Sequence, residues 1–160
     1  MVDFLQHFIH SSPLITFIVA MLPVLELRGA IPVGISLGLG FRETIIISVI
    51  GNLLPVPFII LFTRRLFAFL RHRLPKLEGL VSRLEKKAKA KEHLVRKWQL
   101  WGLVVLVAIP LPGTGAWTGA LVAAVLDLRL KSAFPAIALG VAIAAVIVTA
   151  LTFGFKSLLI

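Results

Sequence analysis

Two charged residues lie in an otherwise apolar stretch near the start of the chain, LPVLELRGAIPVG at residues 22–34. The carboxyl group of Glu26 could carry a proton, and the guanidinium of Arg28 offers a planar set of donors that suits a phosphate or carboxylate. A purely structural pair that stabilises a turn is the alternative. Inside a membrane each charge would cost about 2.5–3.5 kcal/mol and must face a cavity or a partner, which favours a functional role.

The composition predicts that this stretch does lie in a membrane. Hydrophobic residues make up 59% of the 160 residues, and the mean hydropathy is +1.02. Three stretches carry no charge, 44–63, 98–126 and 132–155, and each is long enough to cross a hydrocarbon core of about 30 Å as a helix. Because lipid tolerates no unpaired strands and no alternating barrel pattern occurs, we expect an all-α integral membrane protein.

Most of the net charge of +10 comes from residues 64–97, which contain twelve Lys or Arg and three Glu. Such a run is compatible with nucleic-acid binding. Between two spans it is more typical of a cytoplasmic loop that contacts anionic lipid headgroups, and apolar residues at helical spacing within it predict an amphipathic helix. We therefore expect membrane lipids, and no nucleic acid, as partners of this segment.

Proline and glycine divide two apolar regions into pieces that are too short to span a membrane. Pieces 14–25 and 29–41 would each be about 18–20 Å long as helices. Region 98–126 would be too long as one helix, and PLPGTG at residues 110–115 divides it into two short pieces. We expect two re-entrant hairpins, 14–41 and 98–126, that dip to the middle of the membrane. One long kinked helix is the alternative for the second region.

The two halves of the chain share the same order of features. VAMLPVLELRGA at 19–30 aligns with VLVAIPLPGTGA at 105–116, and LGFR at 39–42 aligns with LDLR at 126–129. This order predicts an inverted repeat in which each hairpin is followed by a transmembrane helix, 44–63 or 132–155.

The basic segment sets the expected topology of this multi-pass protein. With residues 64–97 in the cytoplasm, the first hairpin enters from outside and the second from the cytoplasm, so the two turns meet near the midplane. Residues 1–13 are expected to form a short helix on the outer leaflet.

The two turns and the segments beside them form the candidate pathway for a substrate or a proton. Its members are Glu26, Arg28, Gly29, Pro32, Asn52, Pro110, Pro112, Gly113, Thr114, Gly115, Asp127 and Arg129. Asn52 lies in the middle of a span, where it could line the pathway or bond to a neighbouring helix. Asp127 and Arg129 could form a cytoplasmic gate or cap the helix that follows them.

Other chemistries find no support in the sequence. Cysteine is absent, and the four His residues lack the spacing of metal ligands, so we expect no metal. No Ser-His-Asp set or carboxylate pair suggests hydrolysis, so we expect neither enzyme activity nor a cofactor, apart from proton coupling through Glu26. Because so short a chain encloses little volume, we also expect a homo-oligomer such as a dimer.

ELRGAIPVG, PLPGTGAWTGAL and the chain length together resemble the small multidrug export protein family, which is related to the DedA superfamily. The resemblance implies two facing re-entrant hairpins in the prokaryotic plasma membrane. It also implies the movement of lipids such as undecaprenyl phosphate or phospholipids, with the proton-motive force involved. Glu26 and Arg28 match the charged residues of the first hairpin motif. The residues that match the second motif are Pro110, Pro112, Gly113 and Gly115.

We therefore predict a transporter of the flippase or scramblase type that moves an anionic lipid, because Arg28 suits an anionic headgroup. Two alternatives remain open. A small-molecule or multidrug exporter could use Glu26 to bind a cationic drug, and a membrane assembly protein could use the basic segment 64–97 as its interaction surface.

The absence of cysteine allows a direct test of the expected depth of both turns. Single Gly29→Cys and Gly113→Cys variants should resist a bulky membrane-impermeant maleimide added from either side, because mid-membrane turns lie beyond its reach. Gel-shift labelling in intact cells and inverted vesicles measures this. Rapid labelling of both positions would place the turns in extramembrane loops and contradict the hairpin prediction.

Overall fold

The computed structural model describes residues 11–73, 92–111 and 113–158. Within them the chain is all-α, as predicted, without a β-strand. The helices are α1 (Ser12–Met21), α2 (Glu26–Ser36), α3 (Phe41–Leu53), α4 (Pro55–Arg73), α5 (Glu92–Ala108), α6 (Ala116–Val125) and α7 (Leu130–Leu158). Residues 1–10 of the predicted surface helix, residues 74–91 of the basic segment and Pro112 lie outside the described residues. The ends of the basic segment are helical, because α4 continues to Arg73 and α5 begins at Glu92.

Two continuous helical segments, which we call rods, are long and apolar enough to cross a membrane: Phe41–Leu66 and Leu130–Gly154. The first joins α3 to α4, since Leu54 keeps helical dihedrals and its N–H donates to the carbonyl of Ile50 at 3.0 Å. Only 28% of the apolar window of the first rod, and 33% of the second, is buried inside the chain. The remaining apolar surface needs a hydrocarbon environment, which agrees with the predicted membrane setting.

Three helices are far shorter than these rods. Helices α1, α2 and α6 have 10, 11 and 10 residues, so each is about 15 Å long. The first break, at residues 22–25, ends earlier than predicted, because α2 begins at Glu26 and not at Gly29. The second break covers residues 109–115, so α5 and α6 are separate helices and not one kinked rod.

Helices α2 and α6 end in the same way. The N–H of Leu39 donates to the carbonyl of Gly34 at 3.0 Å, and the N–H of Leu128 donates to that of Ala123 at 2.9 Å. The residue before each donor is left-handed, with φ of +81° and +51°. Both ends are therefore helix caps of the Schellman type, in which a left-handed residue lets the chain turn back onto the last carbonyls.

These caps correct one detail of the sequence alignment. The left-handed residues Gly38 and Asp127 are the structurally matched pair, whereas the alignment of LGFR with LDLR pairs Gly40 with Asp127. The sequence alignment is displaced by two positions because leucine recurs at residues 37 and 39. The sequence alone does not show which of these leucines corresponds to Leu126, at the end of α6.

The helices of the two halves share one core. Helix α5 packs along α7, α1 packs against α2 and α3, and α6 packs against α4. Buried side chains from both halves, including Leu27, Ile60, Leu103 and Ile137, form a single apolar cluster. The halves are therefore packed against each other and not merely linked through the basic segment.

A close helix contact in the second half depends on Gly140. A Cβ atom there would lie 2.7 Å from the Cβ of Val107 and 2.8 Å from the carbonyl oxygen of Val104. Neither a backbone oxygen nor a branched Cβ can move away without displacing α5, so this crossing requires the bare glycine backbone.

Gly140→Ala should therefore lower the free energy of unfolding by about 1–3 kcal/mol, the usual cost of overpacking. Gly102→Ala is the matched control on α5, because its new Cβ would meet nothing within 4 Å. Since alanine has the better helix propensity, this control should leave the free energy of unfolding unchanged or raise it by up to about 1 kcal/mol. Unfolding in detergent micelles measures both. Equal effects of the two substitutions would show that the α5–α7 contact is looser than described.

Candidate functional site

Arg28, in the first turn of α2, reaches across to the second helix break. Its Nη2 donates to the carbonyl oxygen of Ile109 at 3.1 Å and to Oγ1 of Thr114 at 2.8 Å, and its Nη1 donates to the carbonyl oxygen of Leu111. Both carbonyls lie in the turn that directly follows α5, where the partial negative charge of the helix C-terminus favours a cation. Arg28 thus binds the turn at the end of α5.

Thr114 holds the same carbonyls together. Its hydroxyl oxygen lies 2.7 Å from the carbonyl oxygens of both Ile109 and Leu111 and accepts a hydrogen bond from the N–H of Leu111 at 3.2 Å. The turn therefore presents three oxygens to the Arg28 guanidinium, whose planar donor set suits such a cluster better than a lysine would.

Glu26 binds the other end of the same break. Its Oε1 accepts a hydrogen bond from the N–H of Trp117, in the first turn of α6, at 3.1 Å. The side chain is only 3% exposed. A carboxylate at a helix N-terminus satisfies amides that have no partner within the helix and interacts favourably with the helix dipole.

Gly115 makes this approach feasible. Its φ is +123°, and a Cβ atom at this position would overlap the Glu26 carboxylate. The turn needs the backbone conformation of glycine, and the Glu26 carboxylate needs the space left by its missing side chain. The glycine predicted as a turn residue therefore also makes room for the carboxylate.

The backbone of Glu26 is itself unusual. Its φ is +50°, a left-handed conformation that few residues other than glycine adopt. Such a conformation costs of the order of 1–3 kcal/mol and persists only where surrounding contacts impose it. Here the N–H donates to the carbonyl of Leu22 at 2.9 Å, and the carboxylate is held by α6.

A third contact returns from the second half to the first. The indole Nε1 of Trp117 donates to the carbonyl oxygen of Met21, the last residue of α1, at 3.1 Å. Each broken region therefore supplies partners for backbone groups of the other. We call this set of contacts, made by Glu26, Arg28, Thr114, Gly115 and Trp117, the junction.

The charged groups of Glu26 and Arg28, which the sequence analysis considered as a pair that stabilises a turn, lie more than 4 Å apart but still attract each other electrostatically. Among the described residues, the ion pair within 4 Å joins Arg64 to Asp127, while Glu26 and Arg28 bind opposite ends of one break. Leu27 between them is 1% exposed and lies in the shared core.

Four other predicted residues shape the turns without binding the charges. Gly29 packs closely on Leu25, Pro32 lies within α2, Pro110 separates the two carbonyls that accept from Arg28, and Gly113 has a φ of +82°. Their roles are conformational in this structure.

The remaining predicted residues make none of the hydrogen bonds of the junction. Asn52 is fully buried on α3, with no hydrogen-bond partner among the described residues. Asp127 is 88% exposed and lies 3.5 Å from Nε of Arg64, which also donates to the carbonyl of Leu128. Arg129 is exposed in the turn before α7. The Arg64 contact ties the middle of α4 to the α6–α7 turn, and the sequence analysis did not identify it.

The sequence analysis did not identify the backbone carbonyls and the backbone amide that bind Arg28 and Glu26. The carbonyls of Ile109 and Leu111 and the amide of Trp117 are backbone groups, which leave no residue signature. The PLPGTG break was the available signal, because every helix break exposes such groups. Within the described residues, no group of three His, Asp or Glu side chains could hold a metal ion.

An apolar groove of about 850 Å³ lies between α3 and α7. Phe41, Ile45, Val49, Ala142, Ala145, Val146, Thr149, Ala150 and Phe153 line it. Its walls belong to the two long rods, so it would lie at the hydrocarbon level of a membrane.

Substitutions of Glu26 should separate hydrogen bonding from charge at the junction. Glu26→Gln keeps an oxygen that can accept from Trp117 and should lose only the helix-dipole interaction, about 0.3–1 kcal/mol. Glu26→Ala leaves a buried amide unpaired and should lower the free energy of unfolding by about 1–3 kcal/mol. Equal losses in detergent unfolding experiments would contradict the capping role of the carboxylate.

Comparison with known proteins shows which family the chain belongs to. The family described as "Putative small multi-drug export protein" matches residues 26–147, a range that begins at Glu26 and contains the whole second break. No curated protein and no solved structure matches the chain. Because residues 26–147 make up most of the chain, the protein belongs to the family of putative small multi-drug export proteins.

Proposed function

We propose that the protein is a membrane transporter for amphipathic molecules, with an anionic lipid as the first candidate substrate, and that the junction is its gate. The observation that carries this proposal is the set of hydrogen bonds from Arg28 to Ile109, Leu111 and Thr114. These bonds join the two halves of the protein, and a ligand with stronger acceptors can replace them.

An anionic headgroup is such a ligand. Hydrogen bonds from a guanidinium to phosphate oxygens are charge-assisted on both sides and are about twice as strong as neutral ones. A phosphate that takes Arg28 from the carbonyls would free the end of α5. The substrate would then bind the open arrangement more tightly than the closed one, which is the requirement for a ligand to shift a conformational equilibrium.

The groove between α3 and α7 supports the amphipathic nature of the substrate. It has an apolar lining and about 850 Å³ of volume, which suits a hydrocarbon chain better than a polar solute. A lipid could place its tail there, in the hydrocarbon layer, while its headgroup approaches the junction.

The proposed membrane arrangement is the inverted repeat of two re-entrant hairpins, with residues 64–97 in the cytoplasm. The short lengths of α1, α2 and α6 support it, as do the matching caps at Leu39 and Leu128. The resemblance to the DedA superfamily agrees with this arrangement and with a lipid substrate. Glu26, at the same junction, is the proposed site of proton coupling.

Small-molecule export is the second candidate, because the family description itself names multi-drug export. A cationic amphipathic drug would compete with the amide of Trp117 for Glu26 instead of competing with carbonyls for Arg28. Both candidates use the same gate and differ in which charge the substrate engages.

Transport assays in proteoliposomes test the proposal. We expect a fluorescent polyprenyl phosphate to move faster than a zwitterionic phospholipid, and Arg28→Ala to abolish the difference, because the substrate competes for that guanidinium. Arg42→Ala, an exposed arginine at the start of α3, is the matched control and should transport normally. Glu26→Gln, with and without a pH gradient, tests proton coupling.

A lipophilic cationic dye in the same vesicles separates the two candidates. Dye export that depends on Glu26, with no lipid movement, would favour the small-molecule exporter and reject the lipid. Movement of neither class above empty vesicles would reject the transporter proposal.

A further inference from the structure

A column of polar side chains is buried in the first half of the chain. Thr44, Ser48 and Asn52 follow one another at four-residue intervals along α3 and therefore share one face of that helix. All three are fully buried, as is Thr16 on α1. Polar groups are costly inside a membrane protein unless they are paired or have a function, so this column requires an explanation.

The column leads towards Glu26. A Cβ atom at Gly34 of α2 would lie 2.7 Å from Cγ2 of Thr44, so these residues face each other. Helices α2 and α3 are joined by the short turn 37–40 and pack against each other. Treated as an antiparallel pair with equal rise per residue, the Gly34–Thr44 contact puts Asn52 at the level of Glu26. The polar face of α3 therefore extends from the α2–α3 turn to the level of the junction.

The residues near the inner end of this column lack partners. Thr16 and Thr44 donate to carbonyls one turn earlier in their own helices, at 2.9 and 3.0 Å. The hydroxyl of Ser48 and both amide atoms of Asn52 make no hydrogen bond within the described part of the chain. Lipid supplies no replacement partner, so these groups are destabilising where they are now buried.

The unpaired groups indicate which ligand would suit them. Asn52 offers an acceptor and a donor side by side, and Ser48 offers both on one oxygen. A bare cation would face the amide N–H₂ group unfavourably, and an anion would face the amide oxygen unfavourably. Water matches both, but all three atoms are inaccessible to solvent in this arrangement, so water reaches them only when the helices separate.

We propose that the face of α3 formed by Thr44, Ser48 and Asn52 is a water-access path to the Glu26 junction, opened when the α1–α2 hairpin moves away from α3. The proposal rests on the transporter function and deepens it by naming the route. Two glycines bring these helices close together, since Gly51 lies against Phe17 and Ala20 of α1 and Gly34 lies between Thr16 and Thr44. Small residues of this kind allow helix backbones to approach closely in membranes.

Cysteine accessibility tests the path in this cysteine-free chain. Asn52→Cys in proteoliposomes is treated with a small cationic methanethiosulfonate, added from one side at a time. Ile60→Cys is the matched dry control, because Ile60 lies on the same rod, is equally buried and belongs to the apolar core. We expect modification at position 52 to be several-fold faster than at position 60, and only from the side where α3 begins.

A wedge in the helix interface should increase the access. Gly34→Ala places a Cβ within 3.1 Å of both threonines and should accelerate labelling of Asn52→Cys several-fold. Gly102→Ala, which meets nothing within 4 Å, should leave the rate unchanged. The proposal would be overturned if Asn52→Cys were labelled as slowly as Ile60→Cys in the parent chain and in both glycine variants.

Asn52→Leu supplies a second measurement that does not depend on a reactive cysteine. Because leucine of similar size removes an unpaired polar group, the variant should be at least as heat-stable as the parent protein while transport slows. A loss of heat stability would show that the amide has a structural partner and would overturn the proposal. Fast labelling of Asn52→Cys without movement of lipid or dye would reject the transporter function and leave the water-access path intact. Transport without labelling at position 52 would reject the path and leave the transporter function intact.

Discussion

The contacts of Arg28 with the end of α5 and of Glu26 with the start of α6 join the two halves at the points where each helix is broken. A broken helix inside a membrane exposes carbonyls on one side and amides on the other, and lipid can satisfy neither. The cation meets the carbonyls and the carboxylate meets the amide of Trp117. This exchange joins the two breaks: Arg28 adds a charged donor to carbonyls that Thr114 also binds, and Glu26 supplies the acceptor for the amide of Trp117.

The spacing of the two charges follows from this task. Residues two apart in a helix point in widely different directions, so Glu26 and Arg28 can reach opposite ends of one break while Leu27 anchors them in the core. Glu26 accepts a left-handed backbone to do so, and Gly115 supplies the space for its carboxylate. The strain and the missing side chain at these two positions are thus parts of the same contact.

Hydrogen bonds of this kind suit a gate better than apolar packing would. Apolar contacts along α5 and α7 have no directional partner that a ligand could replace, whereas a guanidinium held by carbonyls can exchange them for a charged oxygen. The Arg64–Asp127 pair differs, since Asp127 is mostly exposed and exposed pairs contribute little to stability. The polar face of α3 adds a second region where burial is unfavourable, so the apolar core contributes most of the stability of this arrangement.

The sequence by itself determined the all-helical fold, the two long apolar rods, the two breaks, and the choice of Glu26 and Arg28. Composition and the positions of Pro and Gly are local properties, and they suffice for those conclusions. Only the tertiary structure decided what these charges bind, which leucines follow each helix cap and that Arg64 reaches Asp127. It also showed that Asn52 has no hydrogen-bond partner in the described part of the chain. Apart from the Thr114 hydroxyl, the hydrogen-bond partners of Glu26 and Arg28 are backbone groups more than eighty residues away. A carbonyl has the same chemistry in every residue, so its selection depends on packing in three dimensions.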